Sequence, residues 1–483
     1  MIRREHFATG RVRHSYRDPS GYVFEHAGRV LRAIDAESLA ILTSREGTAA
    51  LDDLMATNAI VRTRAVTDPD LIAPLRDSHA GAAGFLEHER LWPISFAHEW
   101  PVSMLADAAL HTLDIQARLL ATGLGLKDAT PDNIQFTTDG PVLIDVASVA
   151  RPNRFDVWHA LGQFHRMFLY PLVLATRHGW DLRSYFLGSH DGRTPAEMAR
   201  SIGWWERFRG DLLFDFTLPW LAERRQRGGE RRGAVVRETA KAHSSRHEPT
   251  SAAAQCWNLA RLRRNVARLA NAYRPTSVWT TYHGQTSYDA ACEAAKQRTV
   301  HRWLMTIAPR RVLDAGANQG EYSLMAATTA KHVVAVDSDH DAAEVLYRRI
   351  RGSRLPVTPL VADIARSATT IGLRGHERPA MCERLMVDCA MALALVHHLR
   401  VAHHLRPELL AELLASLTSD HLIVEFVPLE DPMFQRLRAS RTDDYSDFTM
   451  DAFRAAMNHR FALVEESAIG KSPRRLLWYR RGR

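Results

Sequence analysis

No stretch of this 483-residue sequence combines the length and the apolar composition of a membrane span, which takes about 20 consecutive apolar residues. The first residues, MIRREHFATGRVRH, lack the apolar core of a secretory signal. Both absences speak against an integral membrane protein and against secretion. We therefore expect a cytoplasmic protein with no membrane partner.

Cysteine is also scarce. The sequence contains four cysteines and no C-x-x-C pair: Cys256, Cys292, Cys382 and Cys389. Widely spaced cysteines in a cytoplasmic protein do not form a disulfide framework. The pattern predicts four reduced thiols, most of them buried, and a zinc site is the alternative.

Phenylalanine, tyrosine and tryptophan are absent from the most basic stretch of the chain, ERRQRGGERRGAVVRETAKAHSSRH at 223–247. The formal net charge of the chain is +8, and this stretch carries much of it. Proteins that hold single-stranded nucleic acid stack its bases on aromatic side chains, which this stretch cannot offer. We interpret it as a solvated linker and do not expect a nucleic-acid partner.

The most informative stretch that is present is Arg311–Gly320, RVLDAGANQG, followed directly by EYSLMAA. An apolar run ends in Asp314, and the turn that follows holds Gly316, Asn318 and Gly320 before a helical pattern begins. This order predicts a strand, a tight turn and a helix N-terminus, the place where open α/β sheets bind adenine-containing cofactors. We therefore take these four residues as cofactor contacts.

A second buried-strand pattern, KHVVAVDSD, follows and ends in Asp337, whose carboxylate can accept hydrogen bonds from both ribose hydroxyls. A dinucleotide would need the spacing G-x-G-x-x-G and a helix N-terminus that is free to hold a diphosphate. Here the spacing is G-x-x-x-G, and Glu321 stands where the diphosphate would lie. The sequence therefore favours S-adenosylmethionine, which has a cationic sulfur and no phosphate, over NAD.

From Trp279 onward the chain resembles the class I S-adenosylmethionine-dependent methyltransferases. VLDAGANQG, AVDSD and VADI resemble the first three motifs of that family, and MALALVHHL resembles the strand and turn beside the reacting methyl group. The resemblance implies that Asp363, at the end of the third strand, accepts a hydrogen bond from the adenine amino group. LKDATPDNIQF, PVLIDVAS and VEFVPLEDPM resemble a narrower group that includes the NoeA-type nodulation proteins.

Further apolar runs continue the alternation of strands and helices, as expected of a sheet that is buried on both faces: LPVTPLVAD, LMVDCAMALALV and HLIVEFV. FALVEES and RRLLWYRR predict an antiparallel closing hairpin. The expected fold class is α/β, with a seven-stranded Rossmann-like methyltransferase sheet in the C-terminal half and an α+β domain before it.

Candidate acceptor-site residues follow the fourth and fifth strands. His397 and His398 come just after the fourth strand, and a neutral imidazole can remove a proton from a hydroxyl or ammonium acceptor near pH 7. Glu425, at the end of the fifth strand, is the second candidate for orienting the acceptor. His403 and His404 complete an HH-x-x-x-x-HH pattern, but this spacing does not place all four rings on one helix face, so we expect no metal there.

The N-terminal half contains LKDATPDNIQFTTDGPVLIDVAS, in which Asp128, Asn133 and Asp145 keep the order of a kinase catalytic loop and magnesium-binding strand. No glycine-rich phosphate loop and no convincing strand lysine precede it. We expect a kinase-like module without phosphotransfer, and these three residues are weak metal candidates only.

The predicted domains are 1–221, kinase-like; 222–275, a basic linker and helix; and 276–483, the methyltransferase. The predicted activity is methyl transfer from S-adenosylmethionine to an unidentified acceptor, and the nodulation resemblance suggests a small molecule or saccharide. The alternatives are a scaffold that binds the cofactor without catalysis and an RNA or protein methyltransferase, although no N-P-P-[YF] motif follows the fourth strand.

Overall fold

Two units make up the part of the chain that the computed structural model describes, namely residues 20–230, 249–277, 290–366, 370–371 and 378–482. The division lies between Arg274 and Pro275, and it assigns the short segments Pro93–Ser95 and Thr137–Gly140 to the second unit. Within the described residues, no helix has the length and apolarity to cross a membrane.

The first unit opens with an antiparallel sheet whose strand order is β1-β2-β4-β3. Its strands are β1 (Gly21–His26), β2 (Arg29–Ile34), β3 (Thr63–Ala65) and β4 (Gly84–His88). A hairpin joins β1 to β2 through Ala27 and Gly28, which have φ of 48° and 76°. Alternate side chains of the sheet, among them Phe24, Leu31 and Phe85, form its buried core.

Helices make up most of the rest of this unit. They are α1 (Ala36–Thr43), α2 (Arg45–Ala56), α3 (Pro69–Ser78), α4 (Val102–Ala121), α5 (Leu161–Phe164), α6 (Tyr170–His178), α7 (Leu182–Gly188), α8 (Pro195–Ser201), α9 (Gly210–Leu212), α10 (Leu218–Glu230) and α11 (Pro249–Ala272). Short strands complete it: β5 (Gly125–Leu126) pairs with β8 (Val149–Ala150), and β6 (Ile134–Thr137) pairs with β7 (Gly140–Leu143).

Helix α11 belongs to the first unit, although the sequence places it in a linker segment. It packs against α4 and α6. Its Arg261 contacts the fully buried Asp215 through both carboxylate oxygens, and Asp215 also lies 3.2 Å from His165. A buried carboxylate with two cationic or hydrogen-bonding partners ties this helix into the core of the unit.

The second unit is built on a seven-stranded sheet of order β11-β10-β9-β12-β13-β15-β14. Its strands are β9 (Arg311–Ala315), β10 (His332–Asp337), β11 (Val357–Val361), β12 (Val387–Ala392), β13 (Thr418–Phe426), β14 (Phe461–Ala468) and β15 (Arg475–Arg481). The first five run parallel, and β15 is antiparallel to both β13 and β14. The predicted seven strands and closing hairpin are confirmed.

Helices alternate with the strands along the second unit and cover the sheet. These helices are α12 (Ala290–Ile307), α13 (Glu321–Ala326), α14 (His340–Ile350), α15 (Met381–Arg384), α16 (Val396–His403), α17 (Pro407–Leu417), α18 (Pro432–Arg438) and α19 (Met450–Asn458). Strands β10 and β11 follow one another on one side of β9, whereas β12 lies on the other side of β9. The carboxyl ends of β9 and β12 therefore flank the switch point where such sheets bind ligands.

Candidate functional site

A cavity of about 610 Å³ lies at this switch point. This volume is within the range of small-molecule sites. Its wall takes residues from the ends of β9, β10, β11 and β12 and from helices α12 and α16. Five of the six residues predicted to bind the cofactor line it: Asp314, Gly316, Asn318, Asp337 and Asp363.

The sixth, Gly320, packs against α14 instead of the cavity. Its φ is 81°, and a Cβ there would lie 2.5 Å from the Cδ1 atom of Leu346. Gly316 has a φ of 75°, and a Cβ there would meet Leu395, which also lines the cavity. Both positions need glycine because of the left-handed backbone. Only Gly316 also opens space beside the cavity.

Asp337 is held at the tip of β10 by backbone amides. One carboxylate oxygen accepts from the amide of Asn318 at 2.7 Å and the other from the amide of Asp339 at 2.8 Å. Burial raises the pKa of Asp337. The side-chain Oδ1 of Asn318 is buried and has no hydrogen-bond partner among the described residues. The turn therefore fixes a carboxylate on the cavity wall with lone pairs to spare, since a carboxylate can accept about four hydrogen bonds.

Two further acids extend this side of the wall. Burial raises the pKa of Asp314 to about 6, although the hydroxyl of Ser323 donates to its carboxylate at 2.6 Å. Asp363 accepts from the backbone amide of Ala365 at 3.0 Å and lies 3.5 Å from the ring of His403. Glu321 lies at the first position of α13, as the sequence shows, and pairs with Arg349 at 2.6 Å.

His397 and His398 lie in the first turn of α16, and both line the cavity. Burial lowers the pKa of His397 well below its ordinary value, and His398 and the cations Arg474 and Lys296 add to this effect. Burial likewise lowers the pKa of His398 to about 4. Both imidazoles are therefore neutral at pH 7. Nδ1 of His397 is buried without a hydrogen-bond partner among the described residues.

Glu425 does not face the cavity, in contrast to the expectation from the sequence. It is fully buried in β13, where Lys296 approaches it at 2.8 Å and Arg474 at 3.1 Å. Arg474 also contacts both carboxylate oxygens of Asp431, at 2.7 and 2.9 Å. Lys296 and Arg474 line the cavity, whereas the two carboxylates are not part of its lining. Any influence of Glu425 on a bound molecule thus passes through these two cations.

Sequence reasoning missed Lys296 and Arg474. A lysine on a helix and an arginine in a basic doublet both have the pattern of exposed residues, yet each side chain here is about 5% exposed or less. One signal was present: the lysine follows two alanines on α12, the helix that precedes β9 and the glycine turn. Their carboxylate partner lies far away in the sequence, so no local pattern could reveal the pairing.

The metal candidates do not come together as a site. No group of three or more histidine, cysteine or acidic side chains with metal-binding geometry occurs in the described part of the chain. In the first unit, Asp145 is paired with Arg32 of β2 at 2.9 Å, and both side chains are largely buried. In the double-histidine segment, Arg400 lies between the two pairs and binds Asp447 at 2.7 Å. Among the cysteines, all four are free thiols, two of them buried: Cys292 and Cys389.

No family model matches this chain. The nodulation protein NoeA of Rhizobium meliloti (strain 1021) is 29% identical to it over 488 residues, which cover 98% of this chain and 96% of NoeA. The chain is a homologue of NoeA. The narrower resemblance that the sequence motifs predict is thereby confirmed along the full length.

Three solved structures are similar to part of the chain. The N-methyltransferase NodS from Bradyrhizobium japonicum WM9 is 14% identical, with a TM-score of 0.31, over 40% of this chain and 99% of NodS. The magnesium protoporphyrin IX methyltransferase ChlM from Synechocystis PCC 6803, solved with bound SAH, is 17% identical, with a TM-score of 0.32, over 42% of this chain and 92% of ChlM. The bifunctional kinase-methyltransferase WbdD is 21% identical, with a TM-score of 0.28, over 41% of each chain. None of these scores establishes a shared activity.

Proposed function

We propose that the second unit binds S-adenosylmethionine and transfers its methyl group to an acceptor in the same cavity. The observation that carries this proposal is the carboxylate of Asp337, which two backbone amides hold on the cavity wall at the tip of the second strand. It has unused lone pairs for the two ribose hydroxyls. In this proposal Asp363, at the end of the third strand, accepts a hydrogen bond from the adenine amino group.

The charge of the wall favours this cofactor over a dinucleotide. Five acidic residues line the cavity: Glu293, Asp314, Glu321, Asp337 and Asp363. The two cations on the wall, Lys296 and Arg474, are offset by the carboxylates behind them. A negative wall opposes a diphosphate and suits a cation. S-adenosylmethionine, when bound, supplies a methyl group on a positively charged sulfur.

The remaining contributions come from the chain's own side chains. The buried walls exclude water and hold the two reactants in one geometry, which can supply a large part of the rate. His397, neutral because it is buried, can accept a hydrogen bond from the acceptor and orient it, although its lowered pKa makes it a weaker base than a free imidazole. His398 lies beside it, with ring centroids 4.3 Å apart. Glu425 acts indirectly, by fixing Lys296 and Arg474.

For the acceptor we propose a chemical class, not a single compound. The homologue's name, nodulation protein, supports a small molecule or saccharide connected with nodulation signalling. A scaffold that binds cofactor without transferring the methyl group and an RNA or protein methyltransferase are the other two candidates. Label transfer from the cofactor into fractionated cell extract distinguishes them, because the labelled product is a small molecule, a macromolecule or absent.

For the first unit we propose a kinase-like module that does not transfer phosphate. The pair between Arg32 and Asp145 supports this, because it neutralises the carboxylate that would bind magnesium. Such a buried pair also costs several kcal/mol to separate, so a metal ion would have to displace the arginine.

Calorimetric titration with S-adenosylmethionine, its demethylated product SAH and NAD tests the cofactor proposal. We expect both sulfur compounds to bind and NAD to bind far more weakly. Tighter binding of NAD than of SAH would refute the assignment.

A further inference from the structure

The cavity has a second chemical end that the cofactor proposal does not use. Lys296 of α12 and Arg474, just before β15, both line the wall, although their side chains are only 5% and 4% exposed. Burying two cations is costly unless each has a specific partner. Their position on a cavity wall therefore calls for an explanation beyond packing.

The partners of these cations lie on the side away from the cavity. Glu425 contacts both cations, and Asp431 holds Arg474 through two hydrogen bonds; neither carboxylate lines the cavity. The network is formally neutral, but its positive ends are nearer to a molecule in the cavity than its negative ends. Oriented charges of this kind attract an anion, since the nearer charge dominates at short range.

The two cations lie at different distances from the place where the adenosine would lie. Nζ of Lys296 is 4.7 Å from the centre of the Tyr322 ring, just after the glycine turn, and its charge also acts on Asp314, whereas Arg474 lies farther along the sheet. Arg474 precedes β15, whose first residue pairs with the last residue of β13, so the side chain belongs to the same sheet edge as Asp337. Four strand-to-strand steps separate β10 from β15, or about 19 Å at about 4.8 Å per step. The acids Asp337 and Asp363 lie at the ends of β10 and β11, on the side of the sheet away from β15. An anionic group would be repelled there and attracted here.

His397 connects this cationic end to the proposed chemistry. Lys296, Arg474 and His397 all line the same cavity, and the charges of both cations lower the pKa of the His397 ring. A molecule whose anionic group meets the two cations would thus present its neighbouring atoms to the imidazole.

We propose that Arg474 and Lys296 form an anion-binding subsite for the methyl acceptor, which therefore carries a carboxylate or phosphate group. This inference rests on the proposed function, because it takes the acidic end of the cavity as the cofactor end. It gives the cations a role in acceptor selection: a neutral or cationic analogue lacking the anionic group binds more weakly.

Inorganic phosphate, titrated calorimetrically into the full chain saturated with SAH, is the probe. The expected result is millimolar binding that Arg474→Gln weakens tenfold or more, since it removes the cation and leaves Asp431 to repel the probe. Arg302→Gln is the matched control, because Arg302 is an exposed arginine of the same unit that pairs with Glu465 at 3.0 Å. Arg474→Lys keeps the charge but loses the bidentate contact with Asp431, so its phosphate affinity should lie between those of Arg474→Gln and Arg302→Gln.

The subsite could bind an anionic group of the acceptor or the carboxylate of the cofactor itself. These two possibilities are distinguished with 5′-methylthioadenosine, which lacks the amino-acid part of SAH. If phosphate competes with SAH but binds alongside 5′-methylthioadenosine, the subsite belongs to the cofactor's own carboxylate and the inference about the acceptor is wrong. Absence of phosphate binding to the wild-type SAH complex also overturns it, whatever the variants do. Failure of the chain to bind SAH at all is a separate result, which refutes the proposed function.

Discussion

Replacement of Asp337 by alanine is the sharpest test of the cofactor site. The carboxylate accepts hydrogen bonds from the backbone amides of Asn318 and Asp339. Its remaining lone pairs are available to a molecule in the cavity. Asp337→Ala therefore removes the proposed ribose contact and loosens the turn that carries Asn318.

The magnitude follows from the type of contact. Hydrogen bonds to a charged group contribute about 1.5–3 kcal/mol, which corresponds to about a 10- to 150-fold rise in the Kd for SAH. The loss of the two amide contacts should also lower the free energy of unfolding by about 1–3 kcal/mol, because two partly buried donors lose their acceptor. Stability and affinity are thus both expected to fall.

Calorimetry with SAH, after urea unfolding has shown that the variant is folded, separates these two effects. Asp420→Ala serves as control, because Asp420 is a carboxylate of the same unit that pairs with Arg480 and lies outside the cavity lining. An unchanged SAH affinity in a folded Asp337→Ala variant would show that the second strand does not contact the cofactor.

Four further results are expected. His397→Asn should lower the rate of label transfer to extract acceptors while SAH affinity, measured by calorimetry, stays nearly constant; loss of both would make it a structural residue. Glu425→Ala should lower the free energy of unfolding by about 3–5 kcal/mol in urea, because it leaves two buried cations without their shared partner. The pKa of Asp314 is about 6 in the folded chain, against an ordinary value of 3.8, so the folded state binds this proton more tightly than the unfolded state. The free energy of unfolding should therefore fall by roughly 3 kcal/mol as the pH rises from about 4 to 6. Asp314→Asn should flatten that slope in urea unfolding at different pH values. Magnesium-ATP should leave the Tm of the full chain unchanged because Arg32 occupies Asp145; a rise of several degrees would contradict this.

Most of the second unit's architecture could be predicted, because buried parallel strands appear in the sequence as uninterrupted runs of apolar residues. The position of Asp337 could be predicted for the same reason, since it directly follows such a run and must lie at its carboxyl end. Gly316 and Gly320 have the same signal in sequence, but their reasons differ: one lies beside the cavity and the other beneath α14. Only packing distinguishes these two roles.

What could not be predicted are the contacts between distant segments. Glu425 lies at a strand end, as a catalytic acid would, and only the approach of Lys296 and Arg474 shows that it is enclosed. Arg32 alternates with apolar neighbours and has the pattern of an exposed strand residue, yet it is buried against Asp145. Charge pairing across a fold has no local period, so these roles become visible only with the tertiary structure.

The stability of the cavity wall bears on the choice between an enzyme and a scaffold. Apolar residues of similar size in place of a buried ion pair are often neutral or stabilising, so the network around Glu425 is not needed for folding alone. Likewise, burial of a histidine whose Nδ1 has no partner among the described residues costs free energy that leucine would not. Both costs concern side chains that line the cavity, namely His397, Lys296 and Arg474, or carboxylates that hold those cations in place. Polar groups kept in a cavity at the expense of stability are expected where a reaction needs them, and this favours catalysis over cofactor binding alone.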